Sequence, residues 1–131
     1  MKRIALLLLA LTYLASCSEL TVEIVMPTVE QQDGSRALAT NTPRFSWQYE
    51  TSENDVVQQD YRIIVASTAE NAQQGIGDLW DSGVTPSHQM LYIPYAGKTL
   101  QSRDRAYWKV IATIKNGKGK AKVESEPEIF D

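Results

Sequence analysis

The stretch Ala106–Asn116, AYWKVIATIKN, decides the fold of this chain. Every second residue is apolar, which places four side chains on one face of a β-strand: Trp108, Val110, Ala112 and Ile114. The alternate positions form a mixed face that we expect to be half-exposed: Tyr107, Lys109, Ile111 and Thr113. Asn116–Gly119 follows with residues that tolerate positive φ, which predicts a turn back into a hairpin. Because one strand cannot bury a face alone, a second layer must cover Trp108.

Other alternating segments can supply that layer. We predict strands at Thr21–Met26, Pro43–Glu50, Tyr61–Thr68, Met90–Tyr95 and Ala121–Phe130. Their inward positions are Val22, Ile24 and Met26, then Phe45, Trp47 and Tyr49, then Tyr61, Ile63 and Val65. We expect Pro27 to end the first strand and Pro127 to shorten the last, because proline cannot donate to a ladder.

The segments between the strands are polar. Thr28–Thr42 is long for a hairpin loop, so we predict that it crosses between two sheets. Ser52–Asp60 is interpreted as a loop. Ser67 and Glu70 resemble a capping box, and Gly75 marks the end of a helix of one or two turns. With six or seven short strands and no longer helix, the pattern predicts an all-β fold, a sandwich of two sheets and about seven strands.

The N-terminus has the pattern of a bacterial lipoprotein signal. A basic start precedes an aliphatic run that is too short to span a membrane, and Leu14-Ala15-Ser16 leads into the only cysteine, Cys17. We therefore predict a signal peptide at residues 1–16, a sandwich domain at 17–131, and an acylated Cys17 that anchors the protein in the bacterial cell envelope, in the outer membrane facing either the periplasm or the exterior. The alternative is a free thiol near an ordinary cleavage site.

Charge argues against a nucleic-acid partner. Loss of Lys2 and Arg3 with the signal leaves 11 basic and 16 acidic residues, a net charge of −5. Four lysines nevertheless surround the predicted turn: Lys115, Lys118, Lys120 and Lys122. We favour a soluble hairpin whose lysines discourage edge pairing, with an anion-binding patch as the alternative.

No catalytic, metal or cofactor site emerges from the residues. His88 is the only histidine, and a solvated position in the Pro86–Gln89 turn is the simplest interpretation. The chain has no Gly-x-Ser-x-Gly elbow, and Gly75-Ile76-Gly77 lacks the following helix of a phosphate loop. We therefore assign no catalytic residue, no metal ligand and no cofactor.

An ordered set of motifs carries a resemblance. The set is Thr42–Trp47 (TPRFSW), Tyr61–Ser67 (YRIIVAS), Gly77–Gly83 (GDLWDSG), Tyr95–Gly97, Leu100, Ser102–Arg103 and Tyr107–Val110. In this order it resembles the N-terminal β-sandwich of bacterial α-L-rhamnosidases, glycoside hydrolase family 78, and more broadly a fibronectin type III module. The resemblance implies an immunoglobulin- or fibronectin type III-like sandwich. The likeness extends over about Glu19–Asp131. The family often carries Trp-Ser in the last strand where this chain has Glu124–Ser125, which questions the packing of that strand.

The resemblance implies a role without chemistry. In that family acidic residues of a separate α-helical barrel hydrolyse the rhamnoside, and we expect no barrel after Asp131. The chain would then be an accessory module of a rhamnosidase, either truncated or stand-alone. The alternative is a surface lipoprotein that binds carbohydrate or a partner protein. Trp80 and Tyr92 are the candidate sugar contacts, because sugars stack on exposed aromatic faces. We also expect Trp80 to cover the sandwich edge and Asp81 to bond the amides of its turn.

Overall fold

Strands dominate the computed structural model, which describes residues 20–30, 42–101 and 104–130. The elements in chain order are β1 (Val22–Val29), β2 (Arg44–Thr51), β3 (Val57–Ala66), α1 (Ala69–Gln73), β4 (Trp80–Asp81), β5 (Thr85–Pro86), β6 (Ile93–Pro94), β7 (Ala106–Asn116), β8 (Gly119–Glu124) and β9 (Glu128–Phe130). The fold is the predicted all-β sandwich, and its described residues form nine strands, where the sequence predicted about seven in all.

Strand β7 is central to the larger of the two sheets. It pairs along its length with β3 on one side, and with β8 and then β9 on the other. β4 and β5 extend the far edge of β3, while β1, β2 and β6 form the smaller sheet in that order. At the β7–β8 turn, Asn116 Oδ1 accepts hydrogen bonds from the backbone N–H of Lys118 (2.7 Å) and Gly119 (3.2 Å). The predicted hairpin is therefore confirmed.

The two sheets bury the predicted face of β7. The four inward side chains, from Trp108 to Ile114, are all at most 1 % exposed. Phe45 and Trp47 of β2 are fully buried opposite them, and the ring centroids of Phe45 and Trp108 are 4.6 Å apart. A second cluster at the other end of β7 joins Ala112 and Ile114 to the start of β1.

The first strand does not end at Pro27. β1 continues to Val29 through an irregularity between Val25 and Thr28 that leaves Met26 62 % exposed with φ of 51°. A bulge accommodates proline because its residues need not donate to the ladder. Met26 is consequently not on the inward face, contrary to the alternation of the sequence.

Three other boundaries differ from the prediction. β1 and β2, which flank the Thr28–Thr42 stretch, are antiparallel neighbours in one sheet and not strands of two different sheets as predicted. Residues 31–41 of that stretch lie outside the described residues. β3 begins at Val57, inside the stretch interpreted as a loop, because a register shift near Gln58 lets polar residues continue the ladder. The predicted strand Ala121–Phe130 is divided around Pro127 into β8 and β9.

The helix is as short as predicted, but Thr68 caps it. The Thr68 hydroxyl accepts from Asn71 N–H at 3.1 Å, whereas Ser67 is bonded to the carboxylate of Asp78. α1 contacts the outer face of β3 and β7, and Ala72 is its buried residue. None of the helices in the described ranges is long and apolar enough to cross a bilayer.

Candidate functional site

Trp80 lies at the rim of the core, as predicted. Its indole is stacked on Phe45 with ring centroids 6.1 Å apart and planes at 26°. It also makes an edge-to-face contact with Tyr95, with ring centroids 5.4 Å apart. A side chain at Gly97 would come within 2.4 Å of the Trp80 Cβ, so only glycine lets that loop approach. Trp80 is partly buried, and Phe45 occupies one of its two faces.

Asp81 bonds its own turn, as predicted. Its Oδ1 accepts from Gly83 N–H at 2.9 Å. Arg62 of β3 also forms two hydrogen bonds to the carboxylate, at 2.9 and 2.5 Å. These bonds lower the pKa of Asp81 against the opposing effect of partial burial. The Arg62 partnership depends on the pairing of Ile64 with Asp81, which the sequence does not reveal.

Tyr92 is 40 % exposed and lies on the outer side of the smaller sheet, whereas Trp80 lies on its inner side. Its backbone lies in the left-handed region at φ of 59°, and its N–H donates to Ser46 Oγ at 2.9 Å. The guanidinium of Arg44 lies 5.2 Å from the ring centroid, within cation–π range. This backbone conformation interrupts the alternation predicted for Met90–Tyr95, so that Leu91 is exposed while Ile93 is buried.

Arg44 is held in that position by Glu30. The side chains form a two-pronged ion pair with distances of 2.7 to 3.2 Å, and Arg44 N–H also donates to Glu30 Oε1 at 2.8 Å. The hydrogen bonds from Arg44 lower the pKa of Glu30. Glu30, Arg44 and Tyr92 thus form an ordered polar-aromatic surface, of which sequence reasoning identified only Tyr92.

The structure does not bring the two predicted sugar contacts together. Trp80 packs against Phe45, which points into the sandwich, whereas Tyr92 contacts Arg44, the preceding residue of β2. Successive residues of a strand point to opposite faces. A single sugar ring therefore cannot stack on both aromatic side chains.

Gln58 organises a buried polar network that sequence reasoning missed. Its amide N–H2 donates to the carbonyls of Ser87 and Gln89, both at 2.8 Å, and its Oε1 accepts from Trp47 Nε1 at 3.1 Å and from the Tyr49 hydroxyl. Burial raises the pKa of Tyr49 to about 12. The network gives the buried indole N–H of Trp47 a hydrogen-bond partner and holds the Ser87–Gln89 loop against β3. Its role is therefore structural.

His88 is exposed, with Nδ1 2.7 Å from the carbonyl oxygen of Gln58. Among residues 20–30, 42–101 and 104–130, no three metal-binding side chains converge. A shallow depression of about 360 Å³ lies between Ser52–Asp55 and Asn116–Lys118. Cys17 lies outside the described residues.

The two residues that depart from the family pattern, Glu124 at the end of β8 and Ser125 after it, make specific contacts with β7. Ser125 is buried, donates its N–H to the carbonyl of Val110 at 2.9 Å, and accepts Val110 N–H through Oγ at 3.0 Å. The Glu124 carboxylate lies 2.6 Å from Lys109 Nζ. Glu124–Ser125 thus stabilises β7 by hydrogen bonds and charge.

The fold and sequence together define an immunoglobulin-like domain. The sequence profile described as "Rha78A-like, N-terminal immunoglobulin domain" matches residues 24–131, and the chain belongs to this family.

Curated relatives and a solved structure agree with this family membership. An α-L-rhamnosidase of Formosa agariphila is 40 % identical over 68 residues, covering 52 % of this chain and 7 % of that protein. An α-L-rhamnosidase of Streptomyces avermitilis is 33 % identical over 89 residues, covering 68 % of this chain and 8 % of that protein. The crystal structure of the S. avermitilis enzyme with L-rhamnose superposes with a TM-score of 0.74 and 29 % identity over 84 % of this chain and 10 % of that one. The chain thus spans about a tenth of the length of these relatives.

Proposed function

We propose that this chain acts as the non-catalytic N-terminal module of an α-L-rhamnosidase, the cleavage of terminal α-L-rhamnose being performed elsewhere in the parent enzyme. The observation that carries the proposal is that the family profile matches residues 24–131, while the superposition on the S. avermitilis enzyme covers 84 % of this chain and only 10 % of that one. A domain of this kind contributes folding or docking surface to its neighbour.

The carboxylates of the sandwich support a role without hydrolysis. A glycosidase needs a pair of carboxyl groups, one on each side of the bond to be cleaved, and one of the two has a raised pKa. A hydrogen bond from Ser67 lowers the pKa of Asp78, and hydrogen bonds from Arg62 lower the pKa of Asp81. Burial raises the pKa of Glu128, but Glu128 pairs with Trp108, at the opposite end of β7 from the depression beside Asn116.

An activity assay tests this proposal. The purified chain should release no aryl group from an aryl α-L-rhamnoside above background, with the S. avermitilis enzyme as positive control. Turnover that survives repurification and disappears in Asp81→Asn would contradict it.

The cell-envelope anchor is a second part of the proposal. The Leu-Ala-Ser-Cys pattern after a basic, aliphatic start supports acylation of Cys17 and removal of Met1–Ser16. Two or more acyl chains would keep the protein stably at a membrane. Mass spectrometry of protein from the native host should show a lipidated N-terminal Cys17, and an unmodified cysteine would contradict the anchor.

The alternative role, a surface lipoprotein that contacts carbohydrate, is favoured by the exposure of Tyr92. Arg44 lies over its ring and Ser46 binds its backbone N–H, so stacking a sugar on the ring costs little side-chain entropy. Trp80 can offer only the surface that Phe45 leaves uncovered. Titration with rhamnose-containing oligosaccharides should show binding that Tyr92→Ala removes and Tyr107→Ala retains; equal binding by both variants would exclude Tyr92.

A further inference from the structure

The outer face of the larger sheet carries a lysine patch, defined here as Lys115, Lys120 and Lys122. Lys115 of β7 lies directly opposite Lys120 of β8, and Lys122 lies two residues further along the same face. All three are exposed, and no carboxylate of the described residues is within salt-bridge distance of them. Like charges directly opposite each other destabilise a sheet. An external anionic surface would relieve this repulsion.

The outer face of the smaller sheet has the opposite charge. Glu23 of β1 lies directly opposite Glu50 of β2, and both are exposed. Glu53 and Asp55 follow in the loop that faces Lys118 across the depression. At this end of the sandwich the directly opposed pair is basic on the larger sheet, Lys115–Lys120, and acidic on the smaller sheet, Glu23–Glu50, although the net charge is negative. An anionic plane would attract one face and repel the other.

The start of the described chain lies at this same end. Leu20 and Val22 pack against Ala112 and Ile114, immediately before the turn that connects the lysine-bearing strands. Cys17 precedes Leu20 by three residues, a reach of about 10 Å for extended backbone. A membrane anchor at Cys17 would consequently hold this end of the sandwich, which carries the lysine patch, close to the bilayer.

We propose that the lysine patch is a membrane-contact surface, which lays the larger sheet against the anionic headgroups of the bilayer that holds Cys17 and turns the Glu23–Glu50 face away. The proposal rests on the proposed anchor. Its physical basis is electrostatic: the acyl chains keep the protein at the bilayer, and each lysine near an anionic leaflet strengthens the contact by about fivefold. Three lysines then contribute on the order of a hundredfold.

The anchor can be imposed chemically, which separates this test from native acylation. The chain from Cys17 onward retains every described strand, and its only cysteine couples to maleimide lipid in vesicles. Lysine acetylation by a water-soluble reagent, read by mass spectrometry, then reports contact at each lysine. On vesicles with about 30 % phosphatidylglycerol at low salt we expect labelling of the patch to fall about fivefold relative to phosphatidylcholine vesicles, and to recover near 0.5 M salt.

Lys98 is the internal control. The backbone N–H of Lys98 donates to the Leu79 carbonyl, and the Leu79 N–H donates to the Val65 carbonyl. These bonds place Lys98 at the end of the sandwich away from the lysine patch, so its labelling should not depend on lipid charge. For uncoupled protein, Lys120→Gln should weaken binding to anionic vesicles about fivefold and Lys98→Gln should leave it unchanged. Circular dichroism establishes that both variants are folded.

Equal labelling of all lysines on both kinds of vesicle would overturn the proposal. So would patch protection by a soluble anionic polysaccharide without protection by vesicles, which would assign the face to a glycan instead. An unmodified Cys17 in the native host would remove the anchor and leave the vesicle result unaffected.

Discussion

The two ends of the outer face of β7 show that the neighbouring elements determine whether a lysine is buried or exposed. Lys109 and Lys115 are both on the outer face of β7. Lys109 is 4 % exposed beneath α1, where Nζ donates to the Gln73 carbonyl at 3.1 Å and to Glu124 at 2.6 Å. Lys115 is exposed opposite another lysine. Lys109 thus supplies a cation to the C-terminus of α1, whose last turn has no basic residue of its own.

Both faces of β7 are buried at the α1 end, so the largest effect is expected there. Trp108→Ala should lower the free energy of unfolding by roughly 3–5 kcal/mol, because a fully buried aromatic leaves a cavity beside Phe45. Chemical denaturation measures the change. A midpoint close to that of a surface lysine variant would show that the assigned face of β7 is wrong.

Lys109→Ala tests the outer face at the same end. We expect a loss of about 1–2 kcal/mol, because the Gln73 carbonyl loses its donor and the covered stem of the lysine is removed. The loss stays below that of a fully buried pair, since the Glu124 side chain is 52 % exposed and remains hydrated. Lys115→Ala is the matched control at the open end. Equal denaturation midpoints for the two variants would mean that α1 adds nothing to this face.

The sequence was sufficient for the inward face and insufficient for what covers the outer one. Alternation from Trp108 to Ile114 identifies a buried face because the period of a strand is fixed. The same alternation presents Lys109 as half-exposed, since the packing of α1 onto β7 is a tertiary event. Bulges at Met26 and Gln58 escaped prediction because they depend on the partner strand.

The candidate site likewise contains features that the sequence predicts and features that it does not. Trp80 at the edge and Asp81 bonded to its turn were predictable from a local motif. The cation over Tyr92 was not, because Arg44 is 48 residues away in sequence and meets the ring only after β2 pairs with β6. Non-local pairs of this kind leave no signal in a single sequence.

The Arg62–Asp81 pair, midway along the outer face, should give a small effect that depends on pH. The pKa of Asp81 in the folded protein is below the ordinary 3.8, so its contribution is complete above that pH and is lost as pH falls through the folded value. Asp81→Asn should cost about 0.5 kcal/mol near neutral pH, because both side chains are 37 % exposed. Denaturation at pH 7 and pH 3 measures the difference, and a gap that widens in acid would contradict it.

The smallest effect is expected at the open end, in the turn after β7. Lys118→Ala should change the free energy of unfolding by less than about 0.5 kcal/mol, because only the exposed side chain changes. The turn itself depends on Lys118 N–H, which donates to Asn116 Oδ1 at 2.7 Å and is present in both proteins. Asn116→Ala is the informative comparison, since it removes the acceptor for two backbone N–H groups and should cost about 1 kcal/mol. If Lys118→Ala proved the more damaging of the two in urea denaturation, the lysine side chain, rather than the Asn116 amide, would be stabilising the open end of β7.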